Sequence, residues 1–156
     1  MADGLSRAKG ARILLRTVGG FSVLLALFGA WYHFLYLTAD YSRRENPPYF
    51  FQAWHIMAAI NIALLLASLV IGVQLVRAQP TWVGAFVVVE AIILLDAVVP
   101  GFLWLHPRFG ASIAAASGIA GGTGAHLITL FPFWGSVAAL WAARRMRSEL
   151  TSEAVV

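Results

Sequence analysis

Residues 81–105, TWVGAFVVVEAIILLDAVVPGFLWL, decide the fold, because they form an apolar run of membrane length that carries two carboxylates. A helix needs about 20 consecutive apolar residues to cross the hydrocarbon core of a bilayer. Glu90 lies near the middle of this run, and Asp96 follows about a turn and a half later. A charge at that depth costs about 2.5–3.5 kcal/mol on insertion scales, so such side chains usually face a bundle interior or a wet cavity.

The rest of the chain has the same apolar character. Its 156 residues are 60% hydrophobic and 12% charged, and its mean hydropathy is +0.79. A soluble domain carries about 25% charged residues, roughly twice this fraction. Four apolar runs cover approximately residues 13–37, 49–76, 81–105 and 111–143. We therefore predict an all-α fold, an integral membrane four-helix antiparallel bundle forming one transmembrane domain, because lipid solvates neither charges nor unpaired backbone groups.

The distribution of basic residues predicts the orientation of this bundle. On the side that would hold both termini lie Arg7, Lys9, Arg12, Arg16, Arg77, Arg144, Arg145 and Arg147. The opposite side would hold Arg43, Arg44 and Arg108. By the positive-inside rule, both termini are cytoplasmic (N-in, C-in) in a multi-pass protein of the cell membrane. The first run is interpreted as a retained span, since it is too long for a signal peptide and lacks a small-residue cleavage site.

Charge and composition also limit the partners. A net charge of +4 would favour nucleic-acid binding in a soluble protein, but here the basic residues lie at the edges of the apolar runs. We predict membrane lipids as partners and no nucleic acid. The absence of cysteine excludes thiol redox chemistry and thioether-linked haem. The sequence also contains no Walker A, G-x-S-x-G or H-E-x-x-H motif, so nothing indicates nucleotide hydrolysis, a serine nucleophile or a zincin.

His33 and His55 form a candidate ligand pair. They lie about eight residues from the middle of their antiparallel spans, which places both roughly 12 Å above the midplane. Two imidazoles at equal depth suit haem b or a metal ion such as zinc, copper or iron. The competing interpretation is that both are interfacial belt residues with a polar tip, and no H-x-x-x-H motif supports ligation.

Asp96, Glu90 and His126 are the candidates for acid–base chemistry. Pro100 lacks an N–H, so the carbonyl four residues earlier, that of Asp96, loses its helical partner beside the carboxylate. Glu90 and Asp96 point about 120° apart around their helix. His126, near the middle of the fourth run, is a proton carrier or ligand beside either acid in the functional interpretation. In the alternative it lies in a packing seam and hydrogen-bonds a neighbouring carbonyl or carboxylate.

Asn61 lies near the middle of the second run, with Ser68 seven residues later. It could hydrogen-bond either acid as part of a binding site, or act as a structural clamp between helices. We therefore include it with the candidate cofactor-binding residues, and we expect an interior that contains Glu90, Asp96, Asn61 and His126.

Small residues in the fourth run predict a contact surface. Ala114, Gly118 and Gly122 precede His126 at intervals of four, a spacing that lets helix backbones approach closely. The Gly118/Gly122 face is thus a candidate contact with a second copy or with a larger membrane complex. Further along the same run, Pro132 is expected to free the carbonyl of Ile128 inside a continuous helix.

Three classes of function fit these residues. The first is a small membrane protein that binds a cofactor or lipophilic ligand in the polar interior, with acid–base or redox chemistry at Asp96 and His126. The second is an accessory subunit of a larger complex, which would place Glu90 or His126 on an outer surface. The third is an oligomeric proton-coupled transporter, which requires a polar path to both sides. The first ranks highest, and the sequence fits both an enzyme and a non-catalytic binding protein.

Overall fold

The computed structural model describes the backbone of residues 2–38, 48–104, 126 and 128–153, with side chains over most of these ranges. Within them the regular elements are all helical, without a strand. A short 3-10 turn, Pro80–Trp82, precedes the third of the four helices in the described part of the chain. These helices are α1 (Ala2–Thr38), α2 (Pro48–Val76), α3 (Val83–Trp104) and α4 (Phe131–Glu153).

Two of the helices are long and apolar enough to cross a membrane. The qualifying segments are Ala8–Tyr32 in α1 and Ala59–Val76 in α2. Large apolar side chains cover the outside of the helices, among them Leu24, Leu66 and Val88. The predicted third and fourth spans, and the orientation of the termini, stay predictions.

Helices α1 and α2 pack closely and antiparallel. A Cβ atom on Gly19 would lie 2.6 Å from both the Gly72 carbonyl oxygen and the Val76 amide nitrogen. Three residues later in α1, Ser22 contacts Ser68, which lies four residues before Gly72. Contacts at higher residue numbers in α1 are therefore made with lower residue numbers in α2, which shows that the two helices run antiparallel. The absence of a side chain at Gly19 brings the two backbones into contact, as small residues do in helix pairs.

One end of the molecule is closed by an apolar cluster drawn from all four helices. It includes Leu15 of α1, Leu75 of α2, Phe86 of α3 and Ala142 of α4, all buried. The basic side chains near this end are exposed, namely Lys9, Arg12, Arg16, Arg77, Arg144, Arg145 and Arg147. We call it the basic end. Its charged side chains are on the outside, and its interior is apolar.

A left-handed residue ends α2. The amide of Gln79 donates to the carbonyl of Gln74 (3.1 Å), and the amide of Ala78 donates to that of Leu75 (2.8 Å). This is the Schellman arrangement, which requires a positive φ at Ala78, observed at 57°. Pro80 then starts the 3-10 turn, as proline does at the first position of a helix.

The fourth predicted span differs from the structure. A turn at Thr129–Leu130, with Leu130 at φ 51°, separates the helical backbone at His126 and Ile128 from α4. Pro132 therefore lies in the first turn of a new helix, where its missing N–H leaves no gap, and the expected kink within a continuous helix is wrong. The predicted small-residue seam, Ala114, Gly118 and Gly122, lies outside the described residues.

The helix contact at Gly19 can be tested against its neighbour. Gly19→Ala places a methyl group against backbone atoms and should lower the free energy of unfolding by about 1–3 kcal/mol. Gly20→Ala meets no atom within 4 Å, and should raise it by about 0.5–1 kcal/mol because alanine is the better helix former. Denaturant titration in detergent followed by circular dichroism measures both. Equal effects of the two substitutions would contradict the contact.

The end of α2 gives a second prediction. Ala78→Gly should raise the free energy of unfolding by about 1 kcal/mol, because glycine adopts the left-handed conformation without steric cost. Ala85→Gly, at an exposed helical position in α3, is the control and should lower stability by about the same amount. The same denaturation experiment applies, and a loss of stability in Ala78→Gly would contradict the left-handed cap.

Candidate functional site

A chain of four hydrogen-bonded polar side chains crosses the apolar interior. The Ser22 and Ser68 hydroxyls are 3.0 Å apart, and the Ser68 hydroxyl donates to Oε1 of Glu90 at 3.0 Å. The other carboxyl oxygen, Oε2, lies 3.0 Å from Nδ1 of His126. Each of the four residues comes from a different helical segment, and all are buried. We call this set the polar chain.

The polar chain lies near the middle of the two membrane-length segments. Ser22 is two residues from the centre of the membrane-length segment Ala8–Tyr32, and Ser68 is at the centre of Ala59–Val76. Below it, toward the basic end, the buried cluster is apolar. The Glu90 and His126 side chains are both 0% exposed, so their charges and hydrogen bonds must be satisfied within the protein.

The hydrogen bonds restrict where protons can lie. A buried pair avoids net charge in one of two ways: a neutral acid donating to Nδ1, or a carboxylate beside an imidazolium. In the first, the imidazole proton is on Nε2, and in the second both ring nitrogens carry hydrogen. Both arrangements therefore place an N–H donor at Nε2 of His126. Among the described residues that buried Nε2 has no hydrogen-bond partner.

Asn61 carries a second unsatisfied atom. Its side chain is buried, and its Oδ1 finds no donor within the described part of the chain. Seven residues separate it from Ser68, which places it about 10 Å further along α2, away from the basic end. Buried polar atoms without a partner are uncommon, and each calls for an explanation such as a bound water, an ion or a catalytic role.

A structured turn holds His126 in place. The Thr129 hydroxyl donates to the His126 carbonyl (3.2 Å), and the Trp134 indole N–H donates to the Thr129 carbonyl (3.0 Å). Phe131, which is fully buried, has its ring centre 5.9 Å from that of His126. Gly135 makes room for this ring, since a Cβ there would lie 2.8 Å from it. The imidazole is thus positioned by packing as well as by Glu90.

The structure brings some of the predicted site residues together. Glu90 and His126 are in direct contact, and Asn61 is buried in the same interior. Asp96 is half-buried. It lies six residues beyond Glu90, at a level of the helices close to that of Asn61. The side chains of His33, His55 and Pro100 lie outside the described residues. Ligation by His33 and His55, and the loss of a helical partner at the Asp96 carbonyl, therefore stay predictions.

Ser22 was not predicted as a site residue. A single serine in an apolar helix carries no signal by itself, and only its contact with Ser68 gives it a role. A metal centre has no support in the described residues, where no three His, Cys, Asp or Glu side chains converge. The described geometry instead leaves a buried ring nitrogen, Nε2 of His126, without a partner, and this nitrogen is a donor in both neutral arrangements of the pair.

The Glu90–His126 contact predicts strong energetic coupling. Glu90→Leu or His126→Leu alone leaves a buried polar partner unsatisfied and should cost about 3–5 kcal/mol of stability. The double variant removes both partners and should cost much less than the sum of the two. A double-mutant cycle by denaturant unfolding in detergent measures this. Additive losses would mean that the two side chains are independent.

Comparison with known proteins identifies no relative for this site. No family model, curated protein or solved structure matches the chain.

Proposed function

We propose that the chain is a small polytopic membrane protein that binds a lipophilic ligand or cofactor at the Glu90–His126 pair, with both termini in the cytoplasm. One observation carries the proposal. Glu90 and His126 form a fully buried carboxylate–imidazole pair, and Nε2 of His126, the ring nitrogen on the side away from Glu90, has no partner among the described residues. A pair needed only for packing would be expected to satisfy both of its ring nitrogens within the protein.

The distribution of side chains supports a membrane setting. The helices expose large apolar residues such as Leu24, Val70 and Leu95, while Glu90 and His126 are enclosed. This is the reverse of the usual arrangement in a soluble protein, where apolar groups form the core and charged groups are rarely buried. The exposed arginines and lysine gather at the basic end, where the positive-inside rule places the cytoplasm.

The pair is suited to acid–base chemistry as well as to binding. A ligand oxygen that accepts a hydrogen bond from Nε2 can also accept its proton, while Glu90 holds the ring and balances its charge through Nδ1. Asp96 and Asn61, further from the basic end, supply polar groups beside the predicted site. A haem or metal held by His33 and His55 remains a separate prediction.

The alternatives have less support. The accessory-subunit hypothesis expects Glu90 or His126 on an outer surface, whereas both side chains are buried. The transporter hypothesis expects polar groups toward both ends. Among the described residues, the buried cluster between the polar chain and the basic end is apolar. A contact through the Gly118/Gly122 face is compatible with ligand binding in the same chain.

The proposal predicts a molecule that copurifies with the protein. The chain should be extracted into lipid nanodiscs and analysed by native mass spectrometry and by its optical spectrum. We expect a small molecule at close to one per chain in the wild type, with occupancy reduced at least tenfold in His126→Ala and lowered in Asp96→Asn. Leu95→Ala, at an exposed position of the same helix, is the control and should retain it.

Membrane insertion of each variant should be unchanged. Identical small-molecule content in wild type and His126→Ala would contradict a ligand site at the pair. If Asp96→Asn alone behaves as wild type, the site is confined to the Glu90–His126 level.

A further inference from the structure

The ring geometry of His126 defines what its ligand must offer. Nδ1 faces Glu90 at 3.0 Å, and the two nitrogens of an imidazole point to nearly opposite sides of the ring. Nε2 therefore points away from the carboxylate. Because it carries hydrogen in both neutral arrangements of the pair, it requires an acceptor atom. A carbonyl oxygen is the simplest acceptor that can lie in an apolar interior without adding charge.

The net charge of the ligand is restricted in the same way. Both side chains of the Glu90–His126 pair are 0% exposed, and a buried pair costs least when it is neutral as a unit. No arginine or lysine accompanies the pair among the described buried residues. An ionised head group would therefore introduce an uncompensated charge at the midplane, which costs several kcal/mol. The site favours a neutral molecule.

An apolar groove is formed by residues close in sequence to Glu90 and His126, although neither of these two residues lines it. It encloses about 210 Å³ and is lined by Leu94, Leu130, Pro132, Phe133 and Trp134. Leu94 lies one helical turn beyond Glu90, and Leu130 follows His126 by four residues. The lining has no polar surface. Leu130 and Phe133 are 63% and 74% exposed, so the groove opens sideways, toward the lipid in the proposed setting.

We propose that the ligand is a neutral lipophilic carbonyl compound, whose oxygen accepts a hydrogen bond from Nε2 of His126 and whose hydrocarbon part occupies this groove. The inference rests on the proposed function and specifies its ligand class. The head is selected by the buried donor and the tail by the apolar lining. A lipid acyl chain could fill the groove alone, but it would leave Nε2 without an acceptor.

The test uses two probes with the same tail. The full chain in nanodiscs, with histidine labelled by ¹⁵N, is titrated with decyl-1,4-benzoquinone and, separately, with decylbenzene, which lacks the acceptor oxygens. We expect saturable binding of the quinone, at least tenfold tighter than that of decylbenzene. The expected spectroscopic signature is a shift of a protonated Nε2 resonance that is missing in His126→Phe.

Two variants separate the head from the tail. His126→Phe removes the donor and should weaken quinone binding roughly tenfold, the equivalent of one lost hydrogen bond. Leu94→Trp fills the groove but leaves Glu90 and His126 in place. It should weaken decylbenzoquinone while leaving tailless 1,4-benzoquinone unaffected. Circular dichroism checks that each variant is folded, and Leu95→Trp, on the exposed side of α3, is the matched control.

Equal affinity for the two decyl probes, or an unchanged Nε2 resonance, would overturn the carbonyl inference. If a copurifying molecule still depends on His126 in that case, the proposed function stands and the ligand class is wrong. If no molecule copurifies and neither probe binds, both proposals fail. Leu94→Trp binding decylbenzoquinone as the wild type does would overturn the assignment of the groove.

Discussion

The structure depends on one constraint: a carboxylate and an imidazole are enclosed where no water reaches them. Glu90 can be buried because Ser68 donates to one of its oxygens and His126 contacts the other. Without either partner, the cost of desolvation would exceed what one helix contact can supply. The positions of α1, α2, α3 and the segment at His126 are therefore coupled through three hydrogen bonds of 3.0 Å.

The close approach of α1 and α2 allows this hydrogen-bonded arrangement to form. Gly19 and Gly72 let the backbones touch, and one turn away Ser22 meets Ser68. A larger residue at Gly19 would separate the helices and pull the two hydroxyls apart. The two glycines set a short distance between the helices, and this distance allows the two serine hydroxyls to form a hydrogen bond.

The helical fold could be predicted from sequence because apolar runs of membrane length have few other solutions. The interior positions of Glu90, Asn61 and His126 followed from the cost of placing them in lipid. Asp96, predicted with them, is only half-buried, since it points in a different direction from Glu90 around α3. Pairings between helices could not be predicted, because which faces of α1 and α2 meet depends on three-dimensional packing. The break at Leu130 was missed because a proline inside an apolar run is compatible with either a kink or a new helix start.

The polar chain also bears on biosynthesis. Its four residues are far apart in the polypeptide sequence, and His126 follows Glu90 by 36 residues. At about 5–20 residues per second, the ribosome adds that length in roughly 2–7 s. His126 leaves the ribosome later than Glu90 by the same interval, so the imidazole that completes the pair arrives after Ser68 and Glu90. A nascent chain must therefore carry an incompletely paired Glu90 until the segment that contains His126 arrives.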